Sequence, residues 1–281
     1  MAVSPLRIGG VPEHFNYPWH WLPSQEIHWQ DFPGGTGAML EALHADDLDM
    51  AIVLTEGALR DVLMQPDNVL VGTYVSSPLT WGLHVQANAA LTAEHDLSSK
   101  TFAISRYNSG SHLMAFVYAE QKGWTSQDLR FVVVGNFEGA KAALADGTAD
   151  IFLWEKFTTQ PTVDQGLWRR IDVCPTPWPC FLFVARRQVA EREQARILQL
   201  FSSLRAIHLN FPADQRRQYI AQRYGLSLGQ VDAWFAETQW DIQPRLSRSS
   251  LQYVQDTLLR LDILTKPGEL DATYPSFVEC S

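Results

Sequence analysis

Short apolar runs alternate with amphipathic stretches along the first two thirds of the chain. The runs at residues 6–11, 50–54 and 69–75 have the length and the β-branched content of buried strands. The stretches between them, at 38–45 and 57–64, repeat apolar side chains at the spacing of one helix face. This alternation predicts an α/β protein.

A second α/β series follows a charged segment at residues 92–100 that lacks helical periodicity. Its predicted elements are a strand at 101–105, a helix at 112–122, and strands at 131–134 and 151–154. The rest of the chain is predicted to be mostly helical and is assigned to packing: helices at 189–209, 215–224, 228–237 and 249–264.

One helix, turn and strand occurs twice with the same internal spacing. Ala42-Leu43 and Asp49-Met50 in the first copy match Ala143-Leu144 and Asp150-Ile151 in the second. The first strand leads to Thr55-Glu56 and the second ends on a carboxylate at residue 155. Ligands of open α/β sheets bind at the carboxyl ends of strands, so both copies indicate candidate ligand-binding positions.

Composition and charge narrow the class of protein. The chain of 281 residues is long enough for two domains or one large one, and 46% hydrophobic with 19% charged residues is typical of a globular protein. The net charge of -9 disfavours binding to nucleic acid or to an anionic membrane surface.

The termini and the cysteines bear on localisation. The N-terminal residues have no apolar core of signal-peptide length, and no uncharged apolar run is long enough to span a membrane. We therefore expect a cytoplasmic protein without membrane insertion, the alternative being a periplasmic protein whose leader was replaced by a start methionine. Three cysteines without a CxxC pair, Cys174, Cys180 and Cys280, favour free buried thiols over a disulfide framework.

A glycine-rich segment at residues 34–37 precedes the first predicted helix. Glycines let the backbone approach a ligand closely, and the first turn of a helix has unpaired N–H groups that bind an anion or a carbonyl. Leu40 stands where a dinucleotide fingerprint needs a third glycine, and the segment lacks the lysine of a phosphate loop. A tight turn without a ligand explains the pattern equally well.

The chain resembles the type II periplasmic-binding-protein superfamily in four segments: Leu6-Arg7-Ile8-Gly9, Phe32-Pro33-Gly34-Gly35-Thr36-Gly37, Asp49-Met50-Ala51-Ile52 and Ser109-Gly110-Ser111. Within it, the chain is similar to the branch that holds aliphatic-sulfonate and taurine binders, pyrimidine-precursor binders and fungal thiamine-pyrimidine synthases. It lacks the cysteine-rich motif of the synthases, and with no leader expected it resembles a leaderless cytosolic subgroup.

The resemblance implies two α/β lobes with a ligand cleft between them, two crossover hinge strands and a helical C-terminal tail. Lobe one is expected at 1–83 plus 181–281 and lobe two at 84–180, with hinges near Trp81 and Pro179. Loops after the strands then supply the ligand-binding residues: His14, Asn16, Tyr17, Gly35, Thr36, Thr55, Glu56, Trp81, Asn108, Ser109, Ser111 and Glu155.

These residues indicate a class of ligand. The carboxylates of Glu56 and Glu155 favour a group that donates hydrogen bonds or is positively charged, whereas helix N-termini at Thr36 and Ser111 favour an acceptor or an anion. The sequence thus predicts a solute-binding protein that closes two lobes over an amphoteric or heteroaromatic metabolite, similar to a pyrimidine or thiamine precursor. Tyr17 or Trp81 is expected to stack on it.

Other interpretations stay open at this point. An enzyme of pyrimidine or thiamine-precursor metabolism would use His14 or His112 with a carboxylate as an acid-base pair, and an interaction module would keep only a vestigial cleft. The glutamates could also cap the following helices, and the histidines could be ordinary hydrogen-bonded residues. No metal or cofactor is expected, since no metal-site spacing occurs. The expected partner is a small molecule, together with a transporter if the protein is exported.

Overall fold

The computed structural model describes residues 4–281; residues 1–3, which begin the expected leaderless terminus, lie outside the described part. The chain forms two compact units, Met1–Ser77 with Trp178–Ser281 and Pro78–Pro177. It therefore passes from one unit to the other twice.

Strands occur throughout the described residues. In chain order they are β1 Leu6–Gly10, β2 Ile27–Asp31, β3 Met50–Leu54, β4 Asn68–Val75, β5 Thr80–Gln86, β6 Thr101–Ile104, β7 Arg130–Val133, β8 Ile151–Glu155, β9 Trp168–Pro175, β10 Phe181–Arg186, β11 Trp240–Gln243, β12 Arg245–Leu246 and β13 Glu279–Cys280.

Helices connect most of these strands. They are α1 Gly35–His44, α2 Thr55–Met64, α3 Gly110–Lys122, α4 Phe137–Asp146, α5 Gln160–Asp164, α6 Arg187–Arg192, α7 Gln194–Asn210, α8 Ala213–Tyr224, α9 Leu228–Glu237 and α10 Arg248–Arg260, with 3-10 helices at His14–Trp21, Ser126–Asp128 and Leu270–Ala272.

The first unit is built on a mixed sheet with the strand order β11-β4-β10-β3-β1-β2. Strands β2, β1 and β3 are parallel, whereas β10 is antiparallel to both β3 and β4. Every residue of β4 is buried, and β3 is buried from Met50 to Val53, because α1, α2 and α6 pack against these strands. The uninterrupted apolar runs in the sequence reflect this covering on both faces.

The second unit has its own sheet, in the order β7-β6-β8-β5-β9. Strands β7, β6 and β8 are parallel, and β5 lies antiparallel between β8 and β9. Its core includes Ala103, Ala140, Phe152 and Trp168. The division of the chain after Ser77 and Pro177 differs from the expected boundaries at 83 and 180. Residue 83 lies within β5, whose hydrogen-bonded neighbours both belong to the second unit.

The repeated helix, turn and strand has the same form in both units. Helices α1 and α4 each contain 10 residues, and β3 and β8 each contain 5. The Asp49 carboxylate accepts a hydrogen bond from the Arg7 backbone N–H at 2.8 Å, and the Asp150 carboxylate accepts one from the Thr101 backbone N–H at 2.9 Å. Each aspartate thus ties the start of its strand to the start of a neighbouring parallel strand.

The C-terminal tail is less helical than the sequence pattern predicted. Residues 240–243 form β11, which pairs with β4 and completes the first sheet. Gly72 lies opposite it with φ at 153°, and a Cβ there would be 2.1 Å from the carbonyl oxygen of Gln243. The single helix predicted at 189–209 is two helices, α6 and α7, separated at Glu193.

All three cysteines are free thiols. Cys174 and Cys180 are buried as predicted, whereas Cys280 is partly exposed. None of the helices in the described residues has the combination of length and apolar composition that crossing a membrane requires.

Candidate functional site

The carboxyl ends of β1 and β3 form the candidate site of the first unit. These two strands are adjacent and parallel, so the segments that follow them lie at one edge of the sheet. Thr55 and Glu56 follow β3 directly and form the first turn of α2. Both are buried, at 1% and 4% relative exposure.

Glu56 is held by the segment that returns the chain to the first unit. Its Oε2 accepts a hydrogen bond from the Trp178 indole Nε1–H at 3.0 Å. Its Oε1 is buried and has no hydrogen-bond partner among the described residues. Burial raises the pKa of Glu56 to about 7, against the opposing effect of its own backbone N–H and the Trp178 indole.

Thr55 bonds to the same returning segment. Its backbone N–H donates to the Cys180 carbonyl oxygen at 3.1 Å, and its hydroxyl donates to the Pro179 carbonyl oxygen. The Thr55 hydroxyl therefore has a structural donor role. Of the two residues, only Glu56 has a buried polar atom that is left without a partner.

The glycine-rich segment packs against this turn. The Thr36 hydroxyl accepts a hydrogen bond from the Leu54 backbone N–H at 3.3 Å, and its methyl group lies against Gly57. Helix α1 begins at Gly35, whose φ is 70°. Here the segment fixes the end of β3; its binding of a ligand stays a prediction.

Asn16 contributes a second acceptor to the same edge. It is 1% exposed, and its Nδ2 donates to the Val11 carbonyl oxygen at 2.8 Å. That bond fixes the orientation of the amide, so the atom left buried and unpartnered, within the described chain, is the Oδ1 acceptor. Gly10 is required beside it, because a Cβ there would lie 2.7 Å from Asn16 Nδ2 and 2.3 Å from the Trp29 ring.

His14 and Tyr17 lie inside an aromatic cluster of the first unit. The His14 ring stacks on Phe15 and meets Trp234 edge-on, with ring centroids 4.8 Å and 4.4 Å apart. Burial lowers the pKa of His14 to about 3. The Tyr17 hydroxyl bonds to His208 Nδ1 at 2.8 Å, and burial raises its pKa to about 12. Tyr17 has no exposed surface. Stacking of Tyr17 on a ligand stays a prediction, which this packing does not favour.

In the second unit, Trp81 and Glu155 face each other across β5 and β8. Residues paired in this way place their side chains on the same face of the sheet. Trp81 is 3% exposed, and its indole Nε1 has no hydrogen-bond partner in residues 4–281. It is a buried donor, in contrast to the buried acceptors of the first unit.

The Glu155 carboxylate caps the turn that follows β8. Its Oε2 accepts hydrogen bonds from the Phe157 backbone N–H at 3.0 Å, the Thr158 backbone N–H at 2.6 Å and the Thr158 hydroxyl at 2.9 Å. Burial raises its pKa to about 7, and these donors oppose that rise. This is the capping alternative noted from the sequence, so Glu155 is a weaker ligand-binding candidate than Glu56.

The N-terminus of α3 is built by its own serines. The Ser109 hydroxyl accepts from the His112 backbone N–H at 3.4 Å, and the Ser111 hydroxyl accepts from the Ser105 backbone N–H at 3.0 Å. Asn108, with φ at 63°, donates its backbone N–H to His112 Nδ1 at 3.0 Å. Burial lowers the pKa of His112 to about 4. The ligand-binding role of these residues stays a prediction. It depends on the N–H groups of the first turn of α3.

The two histidines proposed for the enzymatic alternative are poorly suited to acid-base catalysis. Effective general bases have pKa values near the working pH. His14 and His112 have pKa values lowered to about 3 and about 4, so both are neutral and weakly basic near pH 7. In the described residues, no group of three or more His, Cys, Asp or Glu side chains is arranged to bind a metal ion.

Trp178 is the site residue that the sequence patterns did not reveal. It lies in a proline-rich segment, 175–179, which the sequence assigns to an extended crossover. It is 2% exposed, and the centroid of its ring lies 6.3 Å from that of Tyr253 of α10. The sequence signal for Trp178 was an indole within a proline-rich crossover. No local sequence pattern links that indole to a carboxylate 122 positions away.

Solved structures match the chain over nearly its whole length. The Candida albicans CA3427 gene product, described as exhibiting the generic periplasmic binding protein structural fold, matches with a TM-score of 0.85 and 22% identity, over 97% of this chain and 96% of that chain. The chain has the periplasmic-binding-protein fold. The alkanesulfonate-binding protein SsuA from Xanthomonas axonopodis pv. citri, bound to MOPS, matches with a TM-score of 0.78 and 21% identity, over 95% of this chain and 96% of that one.

Further comparisons agree on the fold. The aliphatic sulphonate binding protein SsuA from Escherichia coli matches with a TM-score of 0.72 and 18% identity, over 98% of this chain and 92% of that chain. The family model of a Ca3427-like PBP matches residues 81–174, which is most of the second unit. No curated protein matches the chain. At these identities the likeness establishes the fold, so the ligand has to be argued from the residues.

Proposed function

We propose that this protein binds a small solute and that Glu56 is the residue that selects it. The observation that carries the proposal is the buried Glu56 carboxyl, which has one indole donor on Oε2 and a vacant acceptor at Oε1. A buried polar atom without a partner costs roughly 1–3 kcal/mol of unfolding free energy. A ligand donor that bonds to Oε1 offsets this cost, so the site favours ligands with N–H or O–H groups.

The unpartnered atoms of each unit support an amphoteric or heteroaromatic ligand. The first unit has two buried acceptors, Glu56 Oε1 and Asn16 Oδ1, which suit the donor edge of an amine or an aminopyrimidine. The second unit has a buried donor, the Trp81 indole, and the N–H groups that begin α3, which suit an acceptor or an anionic end. A pyrimidine or thiamine precursor has both kinds of group.

The proposal has three further parts, of which the first rests on the fold and the other two on the sequence. The first part is that two lobes close over the solute, which is the hinge motion of periplasmic binding proteins. Small-angle X-ray scattering with and without ligand measures this closure. A cytoplasmic location and, if the protein is exported, a transporter partner are proposed on the sequence features alone. Fractionation of the host cell tests the location directly.

A thermal-shift screen followed by calorimetry tests the binding function. The panel contains aminopyrimidines, thiamine precursors, taurine and simple alkanesulfonates. A compound at one hundred times its Kd raises the unfolding free energy by about 2.7 kcal/mol, and hence the Tm by about 5 °C. Glu56→Gln should weaken binding at least tenfold, whereas Glu41→Gln, an exposed carboxylate on α1, should not change it. A panel without any Tm shift would favour an interaction module.

An alkanesulfonate is the second candidate ligand. The Xanthomonas relative is named an alkanesulfonate-binding protein, and here the start of α3 with the Trp81 donor suits an anionic head group. A simple alkanesulfonate leaves Glu56 Oε1 unsatisfied, whereas taurine brings an ammonium group to it. Binding of taurine but not of ethanesulfonate therefore supports the role of Glu56. Mass spectrometry of the recovered ligand then separates binding from turnover.

A further inference from the structure

The surroundings of Glu56 are unusual for an ionised carboxylate. A carboxylate has about four acceptor positions on its two oxygens, and buried carboxylates normally fill several of them. The Glu56 carboxyl is stabilised by its own backbone N–H and by the Trp178 indole, which donates to Oε2, whereas Oε1 receives no donor within the described chain. Glu155, the buried carboxylate at the end of β8 in the second unit, receives three donors on a single oxygen.

In the described residues, no charged group on the elements packed against α2 bonds to the Glu56 carboxyl and balances its negative charge. Asp61 of α2 bonds to His44 of α1 at 2.8 Å, and Arg248 of α10 bonds to Asp271. The Nε atom of Arg60, one turn along α2, is buried and has no hydrogen-bond partner in residues 4–281. The other charged or titratable groups on these elements are Glu41 of α1, Tyr253, Asp256 and Arg260 of α10, Tyr74 of β4 and Arg186 at the far end of β10, and none bonds to Glu56.

An uncompensated buried carboxyl holds a proton more tightly than an exposed one. The pKa of Glu56, raised to about 7 by burial, is consistent with this geometry. A protonated Oε1–H is neutral, and it needs neither a counter-ion nor the several donors that a buried carboxylate requires. We therefore expect part of the ligand-free protein to hold this proton at neutral pH.

We infer that solute binding is coupled to loss of the proton from Glu56, so that a cationic ligand is bound in exchange for one proton. This inference rests on the proposed function and adds its regulation. In the exchange, the Oε1–H bond breaks, the proton goes to a solvent base, and an N–H of the ligand cation donates to the carboxylate oxygen. No covalent bond to the ligand forms, and no oxidant is needed.

The direction of the pH effect follows from this exchange. Below the pKa the proton competes with the cation, so the apparent affinity falls as the pH falls. One coupled proton with a pKa near 7 makes the affinity about tenfold lower at pH 6 than at pH 8. A simple anion without a donor group would show no such gain as the pH rises.

Two measurements test the inference. First, infrared difference spectra of ligand-free wild-type protein minus Glu56→Gln should show a carboxylic-acid C=O band at pH 6 that is absent at pH 8.5. Glu41→Gln provides the control, since that exposed side chain should contribute no acid band in this range. A missing band at pH 6 would show that Glu56 is already ionised and would overturn the inference.

Second, calorimetric titration with benzamidine, whose amidinium stays charged across this range, measures proton release and affinity from pH 6 to pH 8.5. We expect tighter binding at the higher pH, release of up to one proton, and loss of both effects in Glu56→Gln. Benzamidine binding with an unchanged affinity across this range, or with the same pH dependence in Glu56→Gln, overturns proton coupling while leaving solute binding intact. Absence of binding by benzamidine and by every panel compound removes the proposed function, and the inference with it.

Discussion

Replacing Glu56 by glutamine is expected to stabilise the ligand-free protein above neutral pH. The pKa of Glu56 is raised from 4.5 to about 7 in the folded state, so the folded protein binds this proton more tightly than the unfolded chain does. Between these two values the free energy of unfolding therefore falls as the pH rises. This difference in pKa corresponds to about 3 kcal/mol of unfolding free energy, and that contribution is fully lost above pH 7. Glutamine resembles the neutral acid in shape and has no proton to lose.

Scanning calorimetry of both proteins from pH 4 to pH 8.5 measures this effect. The two Tm values should coincide near pH 4 and separate by several degrees at pH 8, with Glu56→Gln the more stable. Subtracting the two curves cancels every other titrating group, including Glu155. Equal Tm values at pH 8, a difference that does not change with pH, or a less stable Glu56→Gln would refute the argument that this carboxyl is buried without compensation.

Three further predictions concern neighbouring features. Trp178→Phe removes the indole donor from Glu56, so its pKa should rise further and its infrared acid band should persist to higher pH. Gly72→Ala should lower the free energy of unfolding by about 1–3 kcal/mol, because the added methyl group meets the β11 backbone. The control Gly229→Ala, in open space on α9, should be neutral or stabilising in the same denaturation experiment. Burial acts to raise the pKa of Asp49, but hydrogen bonds from two arginines lower it to about 2. Asp49→Asn should therefore be less stable at pH 7, and acid titration should show the gap to wild type closing as the pH falls through about 2.

The order of strands and helices was largely predictable, because it depends on periodicities that are local in sequence. The buried strands β3 and β4 and the amphipathic α2 were recognised within a few residues of their observed ends. Strand β11 was missed because its alternation of apolar and polar residues, Trp-Asp-Ile-Gln, is only four residues long and lies among predicted helices. It is a strand because β4 accepts a partner along that edge, which is a tertiary effect.

The candidate site was predictable in position but less so in chemistry. The sequence directed attention to the end of β3, where Glu56 lies, but whether a buried glutamate is compensated depends on side chains far away in the chain. Trp178, 122 residues from Glu56, supplies its only side-chain donor in the described residues. Tyr17 was expected to face a ligand because it follows β1, yet the cluster it joins comes from α7 to β11.

The internal repeat explains why the two glutamates behave differently. Alignment of Asp46 with Gly147, which share a left-handed backbone at φ values of 61° and 78°, places Leu54 opposite Glu155. Glu155 is therefore the last residue of its strand, and its carboxylate accepts hydrogen bonds from N–H groups of the turn that follows. Glu56 lies two positions further along the repeat, within the first turn of α2, and its Oε1 accepts no hydrogen bond in the described residues. The same helix, turn and strand thus leads to a capped carboxylate in one unit and an uncompensated one in the other. For this reason we propose Glu56, rather than Glu155, as the residue that selects the ligand.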